Sequence, residues 1–459
     1  MQCEAKMGSL RGYVPQAGLG GSPNAGGKDM KLSYPVRVAI CGLGSRGKDT
    51  YAPVCEMLPE QMVITAIAEP IEEKREYVKK RYCVPQEMCF ETGEEMFAQD
   101  RLADVALICT QDAMHVGHAV AALEKGYHLL LEKPIATSQE DVAKIEETAK
   151  RMNRSVVVCH VLRYAPFFET IFDAIDRGEI GELMCIQALE NVGYWHQAHS
   201  FVRGNWRSEE ESTFMLLAKC CHDLDYLVWL TGQRCARVSS FGSLRHFRPE
   251  CAPEGAAVRC IAGCKAKENC PYDAEKIYLT NPETGILHGN ADWPCNILAQ
   301  EPTEEKIRRA IEEGPYGRCV YHCDNDVVDS QIVNMEMENG VLCQLMMTAF
   351  CEHGGRTIRV FGTHGCIEGD MESNMLRIRP FGRPETVIDV AQLSRDLAGH
   401  GGGDGRMVAE LLEMHGKTGR PTRRMTTLEA SAESHHIAFA AEQSRKNGGM
   451  AVEMASIRP

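Results

Sequence analysis

The segment that most restricts the fold of this chain reads VRVAICGLGSRG and spans residues 36–47. A short β-branched run is followed at once by a G-x-G-x-x-G loop and by residues that can open a helix. In such a unit the first glycine permits a tight turn, the second lets a pyrophosphate approach the backbone, and the third lets the helix pack on the strand. The N–H groups at the helix start would then bind the phosphates of a dinucleotide. The predicted contacts in this loop are Gly42, Gly44, Ser45, Arg46 and Gly47.

Strand and helix patterns alternate from residue 35 to residue 160. Apolar runs are separated by charged or amphipathic stretches, which is typical of strands buried on both faces of a parallel sheet. The predicted strands are Val36–Ile40, Val63–Ala68, Asp104–Thr110, His128–Glu132 and Ser155–His160. We therefore predict an α/β Rossmann domain, a doubly wound parallel sheet, over residues 35–160, preceded by a flexible glycine-rich extension over residues 1–34.

Glu69 closes the second predicted strand. In a dinucleotide-binding domain, a carboxylate at this place accepts hydrogen bonds from the ribose hydroxyls. It would also repel the 2′-phosphate of NADP. The sequence therefore favours NAD over NADP, whereas a solvated carboxylate at a strand end is the alternative interpretation.

From residue 161 onward, helices are mixed with long alternating runs such as QIVNMEMENGVLCQLMMTAF. Alternation of apolar and polar residues is typical of an antiparallel sheet with one solvated face. We predict an α+β C-terminal domain over residues 161–459 with a mostly antiparallel open sheet and a Cys-rich insert at about 247–323. A helix at about 428–447 is expected to pack back on one of the domains.

Charge and composition exclude several classes of protein. The net charge of −14 argues against nucleic acid as a partner, because phosphates would be repelled. The apolar runs fall short of the ~18 residues that a membrane helix needs. The N-terminal segment has no apolar core of a secretory signal, so the 21 cysteines are expected to be reduced thiols in a cytoplasmic protein.

Two further segments carry a family resemblance. One reads ICTQDAMHVGHAVAALEKGYHLLLEKPIATS, and the other is a downstream helix with His222 and Asp225. Together with the glycine loop, they resemble the Gfo/Idh/MocA oxidoreductases over nearly the whole chain. The resemblance implies an NAD(P)-binding Rossmann domain and a C-terminal domain that holds a sugar or cyclitol. It also implies a homodimer or homotetramer formed through the C-terminal sheet. The cofactor-side candidates in the first segment are Thr110, Asp112, His115, Glu132 and Lys133.

Lys133 matches the active-site lysine of that family. At the carboxyl end of a parallel strand it would point into the ligand crevice. Its ammonium could donate to a substrate hydroxyl and favour the developing alkoxide. A surface lysine at a strand end is the alternative.

The predicted helix Phe214–Leu230 places Lys219, His222 and Asp225 on one face and Cys220 on the other, so a shared metal site is excluded. The resemblance carries His222 over as the catalytic base, and Lys219 and Asp225 become substrate contacts. The family's usual aspartate is replaced by Ala218. With Lys219 nearby, we expect the pKa of His222 to lie no higher than that of an ordinary histidine. A histidine bonded within the core is the alternative interpretation.

Further substrate candidates lie in three polar segments. Aromatic faces with hydrogen-bonding groups suit a sugar pocket, although a folded loop with buried aromatics would look similar. The segment GHGGGD is too glycine-rich for a helix interior and predicts a tight turn at the pocket rim. The candidates are Arg163, Tyr164, Tyr194, His196, Trp206, Arg207 and His400.

Cysteines cluster in the insert with irregular spacing. A tetrahedral Cys₄ site for a structural zinc is one interpretation, and unliganded thiols are the other. The candidate ligands are Cys260, Cys264, Cys270 and Cys319.

The sequence thus favours an NAD-dependent oxidoreductase that moves a hydride between nicotinamide and a secondary hydroxyl of a sugar, glycoside or cyclitol. One alternative resembles NAD-dependent glycosidases, which oxidise, eliminate and re-reduce with retained cofactor. A second alternative is a catalytically silent sugar or nucleotide sensor, which the joint presence of Lys133 and His222 disfavours.

Overall fold

The computed structural model describes residues 34–394 and 398–458, and its first half contains a six-stranded sheet. The strand order is β3-β2-β1-β4-β5-β6 and all neighbours are parallel, as predicted for a doubly wound Rossmann domain. The two-residue strand β3 was not predicted, because so short a run has no measurable period. The strands are β1 (Val36–Cys41), β2 (Met62–Ala68), β3 (Cys89–Phe90), β4 (Val105–Ile108), β5 (His128–Leu131) and β6 (Val156–Val158).

Both faces of this sheet are buried, which explains its continuous apolar strands. In β1, Val38 and Ile40 join one buried cluster, whereas Ala39 and Cys41 join the cluster on the opposite face. The helices of this half are α1 (Val54–Met57), α2 (Glu72–Tyr82), α3 (Gly93–Ala98), α4 (His115–Glu124) and α5 (Gln139–Met152).

The second half is built on a nine-stranded sheet with the order β14-β13-β12-β11-β7-β10-β9-β8-β15. Strands β7 and β10 pair in parallel and the other neighbours are antiparallel, so the sheet is mixed but mostly antiparallel, as predicted. The strands are β7 (Leu183–Asn191), β8 (Cys235–Ser243), β9 (Ser330–Met337), β10 (Leu342–Thr348), β11 (Gly355–Gly362), β12 (Gly365–Asp370), β13 (Met375–Pro380), β14 (Thr386–Asp389) and β15 (Val452–Glu453).

Helices cover one face of this sheet, where the main apolar core lies. The opposite face leaves large apolar side chains exposed, among them Phe241, Leu342 and Phe361. The helices of this half are α6 (Pro166–Asp176), α7 (Tyr194–His196), α8 (Met215–Thr231), α9 (Cys295–Leu298), α10 (Glu304–Glu313), α11 (Ala398–Glu413) and α12 (Leu428–Lys446).

The insert folds around a small core of its own, in which Phe247, Tyr278 and Ile307 are buried. Its helix α10 was not predicted, because the prolines, glycines and cysteines around it indicate an irregular segment. Helix α12 agrees with the expected final helix and packs on α8, β8 and α5.

Helix α11 corrects the prediction made for GHGGGD. That segment lies at the start of the helix, although His400, Gly401 and Gly402 have positive φ angles and therefore form a left-handed first turn. Glycine is also required for packing, because a Cβ at Gly403 would lie 2.2 Å from the carbonyl oxygen of Val161. The glycines thus let α11 press against the segment that joins the two halves.

Within residues 34–394 and 398–458, no helix combines the length and apolar character required to cross a bilayer.

Candidate active site

The glycine loop has the geometry that its sequence predicts. Gly42 has φ +92°, and a Cβ there would lie 2.6 Å from the Cys109 carbonyl oxygen. A Cβ at Gly47 would lie 2.0 Å from the Gly42 oxygen, so the helical segment Ser45–Tyr51 packs directly on the turn. A Cβ at Gly44, in contrast, would meet no atom within 4 Å. Two glycines therefore close the loop, and the middle one leaves an open cradle that fits a phosphate.

Glu69 is buried at the end of β2 and faces this loop. Its Oε2 accepts a 2.7 Å hydrogen bond from the Leu43 N–H, and its Oε1 accepts one of 3.1 Å from the Ile71 N–H. The carboxylate thus stands beside the cradle with lone pairs left for a ribose hydroxyl.

Arg46 points away from the cradle and joins three acceptors. Its guanidinium donates to Glu132 Oε1 at 2.6 Å, to Tyr51 Oη at 2.5 Å and to Asp404 Oδ1 at 2.5 Å. Burial by itself would raise the pKa of Glu132, but the Arg46 charge and the Tyr51 hydrogen bond outweigh it and the pKa is lowered. Arg46 therefore links the glycine loop to the end of β5 and to α11. The sequence predicts a contact of Arg46 with the phosphates instead.

The loop after β4 is held by its own polar groups. His115 places Nδ1 2.7 Å from the Pro134 carbonyl oxygen and Nε2 3.1 Å from that of Thr110. The Asp112 carboxylate accepts hydrogen bonds from Trp206 Nε1 at 3.0 Å and from Ser212 Oγ at 2.9 Å. Asp112 and Trp206, predicted on the cofactor and substrate sides respectively, thus connect the two halves of the molecule.

Lys133 and helix α8 meet at the junction of the two sheets. The Lys133 ammonium donates a 2.8 Å hydrogen bond to the carbonyl oxygen of Ala218, one helical turn before His222. Its charge contributes to lowering the pKa of His222. The structure therefore brings together the two residues predicted to be catalytic.

Four histidines form a continuous cluster beside Lys133. The ring centroid of His222 lies 5.5 Å from that of His400 and 5.6 Å from that of His160, which lies 5.6 Å from His435. Among the described residues, neither ring nitrogen of His160 nor Nδ1 of His222 has a hydrogen-bond partner. Buried polar groups left in this way commonly mark a functional site.

The pKa of His222 is lowered well below its ordinary value. Burial is the main cause, followed by the charges of Lys133, His400, His160 and Arg356. The direction agrees with the expectation from sequence, but the cause differs. The sequence attributes the low pKa of His222 to Lys219, whereas in the structure Lys219 forms an ion pair.

The Lys219 ammonium lies 3.1 Å from Glu190 Oε1, and Arg356 lies 3.0 Å from the other oxygen of Glu190. Arg356 also contacts Asp223 at 2.8 Å. Sequence reasoning missed Glu190, Arg356 and Asp223, since nothing in their local pattern indicates that β7, β11 and α8 meet. The network holds Lys219 at the edge of the site.

Other predicted substrate contacts are engaged elsewhere. Arg163 and Asp225 form a buried pair with two hydrogen bonds of 2.6 Å each. The hydroxyl of buried Tyr164 accepts from the Thr426 N–H at 3.0 Å, and Arg207 pairs with Asp324 at the surface. The structure thus engages Arg163, Asp225, Tyr164 and Arg207 in contacts with other protein groups.

Aromatic side chains surround His196. His196 lies beside Trp195 and Trp293, with ring centroids 5.8 Å and 4.8 Å away. The pKa of His196 is lowered well below its ordinary value, first by burial and then by Lys219, His199 and Lys133. Tyr194, predicted with His196, accepts a hydrogen bond from Asn281 at 3.2 Å.

The predicted zinc site is not supported. Although Cys260, Cys264, Cys270 and Cys319 line one small cavity, the described residues contain no group of three or more side chains arranged to hold a metal. The Cys260 sulfur instead accepts from the Ala274 N–H at 3.4 Å and from Arg203 at 3.6 Å. The cysteines of the described residues are free thiols.

Relatives of known sequence share much of this chain. The putative oxidoreductase YteT of Bacillus subtilis is 23% identical over 397 residues, covering 82% of this chain and 88% of that protein. Inositol 2-dehydrogenase of Corynebacterium glutamicum is 26% identical over 209 residues, which cover 45% of this chain and 57% of that enzyme.

Solved structures share the fold. An inositol dehydrogenase homolog from Azotobacter vinelandii complexed with NAD+ has a TM-score of 0.65 at 17% identity, covering 93% of this chain and 100% of that one. The same homolog complexed with NADH and myo-inositol has a TM-score of 0.61.

Two family models match most of the sequence. The model described as an oxidoreductase family with an NAD-binding Rossmann fold matches residues 36–160, and that for its C-terminal alpha/beta domain matches residues 173–454. The chain therefore belongs to the Gfo/Idh/MocA family of NAD-binding oxidoreductases.

Proposed function

We propose that this protein is an NAD-dependent dehydrogenase that oxidises a secondary hydroxyl of a sugar, glycoside or cyclitol, or reduces the corresponding ketone. The observation that carries the proposal is the meeting of Lys133 with the helix of His222 beside the open glycine cradle. The inositol dehydrogenases among the relatives support a polyhydroxylated ring as substrate.

In the oxidation, the neutral imidazole of His222 takes the hydroxyl proton and the Lys133 ammonium stabilises the developing alkoxide. The low pKa of His222 keeps this imidazole neutral at physiological pH. When bound, NAD would supply the hydride acceptor. Gly42, Gly44, Gly47, Glu69 and Thr110 would hold the dinucleotide.

Glu69 supports a preference for NAD, because its buried carboxylate beside the cradle would face a 2′-phosphate. Titration of the protein with NAD and NADP should give the lower Kd for NAD, and Glu69→Ala should narrow the difference. Equal affinities in the unaltered protein would instead indicate that Arg75, whose guanidinium donates to the Glu69 carbonyl oxygen, offsets the carboxylate charge, and would remove Glu69 as the selector.

The exposed apolar face of the second sheet supports a homodimer or homotetramer formed through that sheet. Sedimentation equilibrium of the protein and of a Phe241→Lys variant would test the interface, since the charge should dissociate the oligomer.

The decisive experiment mixes protein and NAD with inositols, aldoses and methyl glycosides and follows the absorbance of NADH. A substrate that yields stoichiometric NADH and a ketone supports the dehydrogenase. Hydrolysis of a glycoside without net NADH would show the redox-cycling glycosidase instead. Binding of sugar and NAD with no reaction in either direction would show a sensor.

A further inference from the structure

We infer that Trp195 and Trp293 form a second subsite, which takes a sugar ring attached to the one that reacts. The inference rests on the proposed function and names its substrate class as a glycoside or oligosaccharide of at least two rings. Trp195 lies in α7, directly after β7, and Trp293 lies in the insert before α9.

The two indoles come from distant parts of the chain and meet at an open angle. Their ring centroids are 4.9 Å apart and their planes are inclined by 50°. Both side chains are partly exposed; Trp195 packs against the edge of the insert's apolar core, and Trp293 is not part of that core. Tilted, partly exposed rings present an apolar face that a closed core would have buried.

His196 connects this pair to the proposed reaction centre. It stacks on Trp195 and meets Trp293 edge to face at 77°. After burial, the charges of Lys219 and Lys133 contribute to lowering its pKa. Lys219 is held 3.1 Å from Glu190 in β7, the strand that α7 follows, so we place a ring lying on the indoles beside a ring held at Lys133.

The chemistry of the pair suits a carbohydrate. The C–H face of a pyranose packs on aromatic rings, and an indole N–H can donate to a hydroxyl. Within the part of the chain that the structure describes, neither indole N–H donates to a protein acceptor, whereas that of Trp206 donates to Asp112. Trp195 and Trp293 thus offer both the apolar face and the donors.

The test compares one-ring and two-ring ligands by calorimetry, with glucose and galactose against maltose, cellobiose and melibiose. Trp293→Ala and Trp195→Ala should weaken binding of the best disaccharide by about tenfold, which corresponds to ~1.4 kcal/mol, and that of the monosaccharide by less than about twofold. Phe381→Ala, at an exposed aromatic that is 64% accessible, is the control and should change neither.

Equal losses for both ligand classes, or no loss, would overturn the subsite. If the unaltered protein binds monosaccharides and yields NADH but gains nothing from the second ring, the subsite is wrong and the proposed function stands. If it binds no sugar of either kind, the subsite is wrong, and the NADH assay with inositols decides the proposed function.

A separate observation concerns the proton that His222 receives. The geometry points to a path from His222 to solvent through His400, oriented by Asp404. The Nδ1–H of His400 faces Asp404 Oδ2 at 3.0 Å, so Nε2 is left as an acceptor. The His400 side chain is 36% exposed, whereas His222 is only 4% exposed.

The charges around the two rings give the path its direction. His222 faces Lys133 from the end of β5, His160 from the end of β6, Arg356 from β11 and His400 from α11. Those are cationic or neutral groups, and they disfavour imidazolium. Burial lowers the pKa of His400 and the charges of Arg46 and Arg356 act in the same direction, whereas the Asp404 carboxylate beside it opposes them. Imidazolium is therefore better stabilised on His400.

The His400→Ala variant tests the path and keeps Asp404, which accepts a hydrogen bond from Arg46. We expect kcat to fall by roughly tenfold or more, with KM for sugar and Kd for NAD nearly unchanged, and imidazole buffer should restore part of the rate. The exposed His364→Ala is the control. In the free protein, NMR titration should show the His400 pKa falling in Asp404→Asn. Unchanged kcat, or a His400 pKa that ignores Asp404, would overturn the path.

Discussion

The glycine loop and the histidine cluster are built in opposite ways. In the loop, turn, helix start and strand end come from one stretch of chain, and Gly42 and Gly47 leave no space for a side chain. In the cluster, His160, His222, His400 and His435 come from four separate segments. Among the residues that the structure describes, both ring nitrogens of His160 and Nδ1 of His222 are buried without a hydrogen-bond partner.

This difference distinguishes residues whose polar groups stabilise the fold from residues whose polar groups are available to a ligand. Groups that satisfy each other, such as Arg163 with Asp225, are expected to affect stability when altered. Groups that the fold leaves open, such as His222 and the cradle at Gly44, are expected to affect binding or turnover.

The largest effect is expected at the satisfied pair. Asp225→Ala leaves the Arg163 guanidinium buried without its counter-charge, so the free energy of unfolding should fall by about 3–5 kcal/mol. Chemical denaturation would measure it. Asp173→Ala, which breaks an exposed contact with Arg177, is the control and should cost less than ~0.5 kcal/mol. A small loss at Asp225 would mean that the pair is available to ligands after all.

Lys133→Met should give the opposite result. Loss of the ammonium from the reacting oxygen should lower kcat by roughly 10²-fold or more, while NAD affinity and unfolding stability change little. Steady-state kinetics and NAD titration would measure both, with Lys144→Met, exposed on α5, as the control. Turnover near that of the unaltered enzyme would take Lys133 out of the mechanism.

Two glycines of one loop should behave differently. Gly44→Ala places a methyl group in open space, so the fold should survive while the Kd for NAD rises about tenfold. Gly47→Ala forces a methyl group against the Gly42 oxygen and should cost about 1–3 kcal/mol of stability. Thermal unfolding and NAD titration of both variants would separate the effects. Equal behaviour would show that the cradle is not where phosphate binds.

The smallest effect concerns pH. Because burial and Lys133 lower the pKa of His222, the base is deprotonated already below the ordinary histidine value of ~6.5. The acid limb of kcat/KM should therefore lie below pH ~6.5, with a plateau by about pH 7. Ala218→Asp adds a carboxylate one turn before His222 and should move the limb upward by about one pH unit. A limb unmoved by that change and by His222→Ala would place the base elsewhere.

Much of the fold was readable because its signals are local. The glycine spacing, the apolar strands and the resemblance around Lys133 are properties of short stretches, and the strand order and helix α8 agree with them. The segment GHGGGD shows the limit of prediction from local sequence patterns. Glycine content indicated a turn, but the structure uses it to start α11 with a left-handed turn against Val161.

The sequence by itself determined the glycine loop and the parallel sheet, since motif and period depend on neighbours in the chain. The family resemblance nominated Lys133 and His222 for the site. Only the tertiary structure decided which polar groups are satisfied. Arg163 and Asp225 are 62 positions apart, and Arg46 and Asp404 are 358 apart. A hydrogen bond between such groups leaves no trace in either local pattern. For that reason the sequence alone could identify candidate residues for the site, but only the fold shows which of them are engaged in structural contacts.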